Sequence, residues 1–234
     1  MTSIEKHNHD HSLESHKACV SLVPIFKHLD EEQLDEIMAA TRSVSFEKGE
    51  IIYREGDEAD SLYIIHKGKV RIYRLTEAGK EQLVRLLNPG DFTGETALFT
   101  DSVHESYAEA MMETKVCVIQ RSVLQGFLLK FPSISLKILQ EFSNRLNTSE
   151  TQTTRFSSET VETRIALFLT EQMDQKNDRN IVYLPMSKKD LASYLGTTPE
   201  TISRKFAELE AKGLIRQKST RQIEILEVDE LLLV

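Results

Sequence analysis

Apolar positions along this chain change period from one stretch to the next. From Val20, the run Val23-Pro24-Ile25-Phe26 leads into Leu29 to Ile37, where Leu34, Ile37 and Met38 lie on one helical face behind Asp30, a plausible N-cap. Between Arg42 and Ile119 the period shortens. β-Prone runs recur at 51–53, 62–65, 69–73, 82–87 and 115–119. Turns at Gly49, Gly56-Asp57, Lys67-Gly68, Ala78-Gly79 and Pro89-Gly90-Asp91 separate them, and six of the nine glycines fall between positions 49 and 94. Short strands spaced by glycine turns predict an antiparallel sandwich or barrel.

After Arg121 the period becomes helical again. Val123, Phe127 and Leu128 form one face, Pro132 interrupts, and then Ile134, Ile138, Leu139, Phe142 and Leu146 recur at spacings of three and four. No Gly or Pro occurs from Ser133 to about Arg155, and the far end of that stretch is polar. Such a helix bridges domains or pairs with a copy of itself; an ordinary core helix followed by a polar linker is the alternative. A further helix is predicted from Arg164 to Gln175, then a turn at 177–180 and a strand at 181–184 closed by Pro185.

The segment from Lys188 to Leu209 predicts two short helices around a tight turn. Leu191, Ala192 and Leu195 supply the first apolar face. Gly196 permits the turn, Thr198 suits an N-cap and Pro199 the first helical position. Ile202, Phe206 and Leu209 point inward, which leaves Glu200, Thr201, Ser203, Arg204 and Lys205 outside. Residues 214–217 and 222–226 then flank a polar turn as a β-hairpin. The whole chain has a formal charge of −8, but Ser187 to Arg221 holds eight basic residues against four acidic ones. A basic module on an acidic body fits DNA binding through local phosphate contacts. Arg204 can donate two hydrogen bonds to guanine, Glu200 can accept from a base amino group, and Ser203 can meet a base edge. Lys188, Thr198, Thr201, Lys205, Arg216 and Lys218 are the candidates for backbone or secondary contacts.

Gly196 to Arg204, Gly-Thr-Thr-Pro-Glu-Thr-Ile-Ser-Arg, closely resembles the signature of the CRP/FNR family of bacterial transcription regulators. Residues 48–53, 56–63 and 89–95 are similar to that family's early strands and pocket segment. The resemblance implies an α+β chain: an N-terminal cyclic-nucleotide-binding-like β-roll, a long dimerisation helix and a C-terminal winged helix-turn-helix. CAP, a member of this family, is among the standard helix-turn-helix examples. The expected division is a His-rich tail over 1–19, a sensor domain over 20–131, the dimerisation helix over 132–157 and the DNA-binding domain over 158–234. Glu200, Ser203 and Arg204 match the Glu-x-x-Ser-Arg pattern of FNR-type readers, which implies a palindrome of the TTGAT…ATCAA type. Pro199 stands where the cAMP-receptor branch carries Arg, so discrimination made there by other members is not expected.

The signal is less determined. Gly94 and Glu95 match the family's effector pocket, but Glu105-Ser106 stands where cAMP-binding relatives have Arg-Ser. A carboxylate repels the cyclic phosphate, so the pocket reads as degenerate and cAMP is not expected as a cofactor. Two cysteines, Cys19 and Cys117, are too few for a four-cysteine iron–sulfur cluster within one chain. Having that pair resembles the FNR-like proteins (FLP group) of low-GC Gram-positive bacteria, where a reversible intramolecular disulfide is the implied sensor. The competing reading makes Cys117 a small apolar strand residue and Cys19 part of the tail. Haem, a metal or another small molecule remain alternatives, although His66 and His104 adjoin turns and are expected to be solvated or locally bonded. His7, His9, His11 and His16 read as a soluble tail in preference to a metal site.

No apolar run approaches the roughly 18 residues of a membrane helix, and residues 1–17 lack a secretory hydrophobic core. A cytoplasmic protein without a membrane partner is expected. Asp57, Asp60, Glu95 and Glu105 offer carboxylates, but no phosphate loop, nucleophile elbow or His-Glu-x-x-His accompanies them, so no catalytic residue is assigned and no enzyme is expected. The expected partners are double-stranded DNA and a second copy of the chain, with RNA polymerase as an open possibility. A regulatory subunit that does not bind DNA is the rival class, and the basic C-terminal segment argues against it.

Overall fold

The computed structural model describes residues 23–95, 99–173 and 180–234. They belong to two compact units, Met1–Arg145 and Leu146–Val234. In the first, helix α1 (Glu31–Ala39) starts at Asp30, whose carboxylate accepts from the Gln33 N–H at 2.9 Å while the Gln33 side chain accepts from the Asp30 N–H at 3.1 Å. This reciprocal capping satisfies two otherwise unpaired donors.

Eight strands follow: β1 (Arg42–Phe46), β2 (Ile51–Tyr53), β3 (Ser61–Lys67), β4 (Val70–Leu75), β5 (Glu81–Leu87), β6 (Phe92–Thr93), β7 (Tyr107–Ala110) and β8 (Thr114–Gln120). They form two antiparallel sheets ordered β1-β8-β3-β6 and β2-β7-β4-β5. The expected sandwich is present, and all five predicted strand runs lie within it. Strands β1, β6 and β7 are additional. Arg-Ser-Val-Ser-Phe and Tyr-Ala-Glu-Ala carry little β-propensity, and β6 has two residues, so pairing with neighbours defines them.

Strand β8 is buried on both faces, which explains its unbroken apolar run. Val116 and Val118 face a core with Tyr53, Val70, Ile72 and Leu87. Cys117 and Ile119, one residue out of phase, face a second core with Ile37, Leu62, Ile64 and Phe92. That second core is completed by Leu124 and Phe127 of α2 (Arg121–Lys130) and by Ile134 and Ile138 of α3 (Pro132–Ser158). The apolar stripe predicted on α3 therefore divides. Ile134 and Ile138 are fully buried and Phe142 packs beside them, whereas Leu139 and Leu146, together with Leu136, are exposed.

The second unit holds the polar end of α3, then α4 (Val161–Glu171), β9 (Ile181–Tyr183), α5 (Lys188–Tyr194), α6 (Pro199–Ala211), β10 (Ile215–Gln217), β11 (Gln222–Ile225) and α7 (Val228–Leu231). Its antiparallel sheet is ordered β10-β11-β9. Helix α4 begins before the predicted Arg164 because the Thr160 hydroxyl caps it, accepting from the Thr163 N–H at 3.1 Å. No single helix among the described residues is long and apolar enough to cross a membrane.

Replacing Ile138 with Ala should destabilise the first unit by about 2–5 kcal/mol, because the fully buried side chain leaves a cavity where α3 meets the roll. Denaturant titration of wild type and variant checks this; a loss under about 1 kcal/mol would mean that α3 is not held there.

Candidate functional site

Helix α5 is capped by Ser187, whose Oγ accepts from the Asp190 N–H at 3.1 Å. Leu191, Ala192 and Leu195 are buried beneath it. The chain then reverses at Gly196, which has φ +64°, a conformation that side chains rarely adopt. Helix α6 starts at once: Thr198 is the N-cap, accepting from the Thr201 N–H at 3.3 Å, and Pro199 occupies the first turn. Ile202, Phe206 and Leu209 are fully buried, so the rotation of α6 is fixed by its apolar side. Glu200, Ser203 and Arg204 are left exposed together along its first two turns. The Glu200 carboxyl lies below its ordinary range because its own backbone N–H, and then Thr198, hydrogen-bond to it. It is ionised and acceptor-only at neutral pH.

The candidate backbone contacts are placed less uniformly. Lys188 donates to the Gln217 side chain at 2.8 Å and lies over the Phe206 ring, at the seam between α5, α6 and the hairpin. Lys205 is bonded to Glu162 and Glu208. Arg216 and Lys218 stand on the β10–β11 hairpin beside Glu224. Arg221 joins them at the hairpin turn: it is exposed, makes no side-chain ion pair among the described residues, and carries a positive charge that marked it in the sequence.

In the first unit the four predicted pocket residues part company. Gly94 has φ +84°, and a Cβ there would strike the Ser61 carbonyl, so strand β3 passes directly against it. Glu95 is nearly buried and its Oε1 accepts from Arg85 at 2.8 Å and from Arg145 at 2.5 Å, while its Oε2 has no hydrogen-bond partner among the described residues. Burial alone would raise this carboxyl, but Arg85 and Arg145 outweigh it and hold it below the ordinary value. Arg145 also donates to the Phe92 carbonyl at 3.1 Å and covers the Phe92 ring. Ser106 hydrogen-bonds the Tyr53 phenol. Glu105 instead turns outward, paired with Arg74 at 2.5 Å.

The sequence did not single out Arg85, Arg145 or Tyr53 here. The signal was present for Arg85, a charged position inside the apolar run Leu83-Val84-Arg85-Leu86-Leu87. His104 corrects the expectation of a solvated imidazole. It is 5% exposed and stacked on Tyr53 with ring centroids 3.7 Å apart, and its Nε2 has no hydrogen-bond partner among the described residues. The cause lies in the backbone. The His104 N–H donates to the Asp57 carbonyl and the Gly56 N–H to the His104 carbonyl, which folds this segment over the 54–57 turn and aims the ring inward.

Cys117 is 1% exposed and disulfide-bonded, so it is more than a small apolar strand residue. Cys19 and the His-rich tail lie outside the described residues. Among the described residues no group of three or more His, Cys, Asp or Glu side chains is arranged to hold a metal.

Residues 43–131 match the cyclic nucleotide-binding domain family and residues 163–233 the Crp-like helix-turn-helix domain. The probable transcriptional regulator flp of Lacticaseibacillus casei is 34% identical over 214 residues, 92% of this chain and 96% of that one. The chain belongs to the CRP/FNR family of DNA-binding transcription regulators. The fumarate and nitrate reduction regulatory protein of Vibrio cholerae is 31% identical over 86% of this chain and 80% of its own length. Among solved structures, FixK2 from Bradyrhizobium japonicum is similar with a TM-score of 0.70 and 30% identity, over 82% of this chain and 95% of that one. The order of β-roll, long helix and C-terminal reader is that of a CRP/FNR protein, and DNA binding follows from membership.

Burial holds the His104 imidazole below its ordinary pKa of 6.5; Asp57, Asp60 and Glu95 pull it upward but do not win. A depressed folded-state pKa means the unfolded chain takes up the proton first, so stability present above 6.5 is lost as pH falls toward the folded value. Thermal unfolding should therefore show the first unit weakening below pH 6.5, and His104→Gln should flatten that part of the profile. An unchanged slope in the variant would remove His104 from the account.

Proposed function

We infer that this regulator reads a palindrome of the TTGAT…ATCAA type as a cytoplasmic homodimer, under the control of a Cys19–Cys117 dithiol. The observation that carries the reading is the shared exposure of Glu200, Ser203 and Arg204 on a helix whose rotation is set by three buried residues. Arg204 donates to guanine, Glu200 accepts from a cytosine or adenine amino group, and Ser203 meets the intervening base edge. Thr198 and Thr201 close the helix start, while Arg216, Lys218 and Arg221 approach the phosphates from the hairpin. Two half-sites require two readers. The apolar face left open on α3, with Leu136, Leu139 and Leu146 at 69%, 59% and 59% exposure, supports self-pairing over 132–157. The tail (1–19), sensor (20–131) and reader (158–234) then keep their separate roles, and RNA polymerase is the further partner to be tested.

The dithiol reading rests on Cys117 being disulfide-bonded in a chain with one other cysteine. Closing the bond transfers two electrons and releases two protons to an external oxidant. Linking residues so far apart in sequence constrains the unfolded chain by about 4–5 kcal/mol in the entropy treatment. Cys117 shares a core with Ile134 and Ile138, so a change at sulfur bears on the start of α3. A second reading, a small-molecule effector in the roll, draws on Glu95 Oε2 and His104 Nε2, which have no hydrogen-bond partner among the described residues.

Selection of bound DNA from a random pool should return the palindrome, and Arg204→Ala should cost about 1–3 kcal/mol and relax one base pair per half-site. Uniform weakening over all sequences would make Arg204 a phosphate contact instead. With the switch, DNA affinity should change at least several-fold between reduced and oxidised protein, and Cys117→Ser should abolish that difference. Equal affinity in both states, with the Cys19–Cys117 bond confirmed by mass spectrometry, would leave the bond without a regulatory role.

A further inference from the structure

The cations of the reader are not equally available. Lys205 is held by Glu162 at 2.8 Å and Glu208 at 2.5 Å, and Lys212 by Glu162 at 2.5 Å. On the hairpin, Lys218 and Arg216 converge on one carboxylate oxygen of Glu224, at 2.9 Å and 3.3 Å. Arg204 differs. Its side chain is 68% exposed, and the Glu208 oxygen it faces stands 3.7 Å away. Of the cations placed for phosphate, Lys205, Arg216 and Lys218 are thus neutralised from within, whereas Arg204, placed for a base, is nearly free.

The two kinds of pair differ in reach. Glu162 comes from α4, is largely covered, and ties two points of α6 to the body of the unit. Glu224 lies on β11, opposite Arg216 in the β10–β11 register, and both of its partners stay substantially exposed. A DNA phosphate can reach the exposed donors of Arg216 and Lys218, but it meets the Glu224 carboxylate beside them, which repels it and partly neutralises both cations.

We propose that Glu224 sets the phosphate affinity of the hairpin: it competes with DNA phosphates for Arg216 and Lys218, and so weakens binding to DNA of any sequence by a similar factor while leaving base reading intact. Non-specific affinity is almost wholly phosphate electrostatics, whereas the cognate site adds base contacts. An internal competitor on the hairpin therefore takes a similar free energy from every site, cognate or not. The inference rests on the DNA-reading assignment above.

The test is Glu224→Gln in the full chain, which keeps the side-chain shape and removes the charge. Two controls bracket it. Glu224→Asp keeps the charge. Glu227→Gln makes the same change in net charge at an exposed carboxylate with no ion pair among the described residues. Fluorescence anisotropy would follow binding to a random-sequence duplex and to the selected palindrome between about 50 and 200 mM KCl.

Glu224→Gln should bind the random duplex about three- to tenfold more tightly, with a log K against log salt slope steeper by about one unit. Its affinity for the palindrome should rise by a similar factor, so the preference is kept, while Glu224→Asp and Glu227→Gln stay close to wild type. An unchanged affinity and slope for Glu224→Gln, or an equal gain for Glu227→Gln, would overturn the proposal. The random-duplex arm decides this alone. Failure of the palindrome reading would show separately, as a wild-type protein without sequence preference.

Discussion

Ile134 and Ile138, neither exposed to solvent, place the first turns of α3 in the same core as Cys117 and Ile119 of β8. Cores of this kind are close-packed, and displacement of one member is felt by its neighbours. Among the described residues of the first unit, Cys117 and the start of α3 share one core with no soft layer between them. Helices α1 and α2 close the same core through Ile37 and Leu124, so they brace one end of α3. The other arrangements in this unit depend on that anchorage, including the position of Arg145 at the roll.

Arg145 adds a polar tether to the apolar one. One Glu95 oxygen holds Arg85 of β5 and Arg145 of α3 together, and the Phe92 carbonyl holds Arg145 as well. Removing one member of such a buried set leaves the others unsatisfied, which costs more than the set contributes when whole. The apolar contact sets where α3 starts; the ionic one fixes its orientation a few turns later.

Much of this could be read from the chain. Gly196, Thr198, Pro199 and the inward triad of Ile202, Phe206 and Leu209 each have one compatible role, and together they specify the turn and the rotation of α6. The long runs of β3, β4, β5 and β8 were equally plain. Harder to read were elements that exist only through their partners. Strand β7, Tyr-Ala-Glu-Ala, is a strand because β2 and β4 flank it. The burial of His104 follows from backbone hydrogen bonds to a turn nearly fifty residues earlier, which no local pattern encodes. The net positive charge of Ser187 to Arg221 was real but incomplete, because Glu162 and Glu224, outside that window, neutralise several of its cations.

The first turn of α6 is also unusual in what it withholds. Pro199 has no N–H, and the Thr201 N–H goes to Thr198. A helix start of this kind has few main-chain donors left for an approaching anion. Under the proposed reading, contact with DNA falls to side chains, each replaceable by a single codon change. The backbone supplies only a fixed platform, so a lineage carrying this fold can retune its operators residue by residue without rebuilding the helix that presents them.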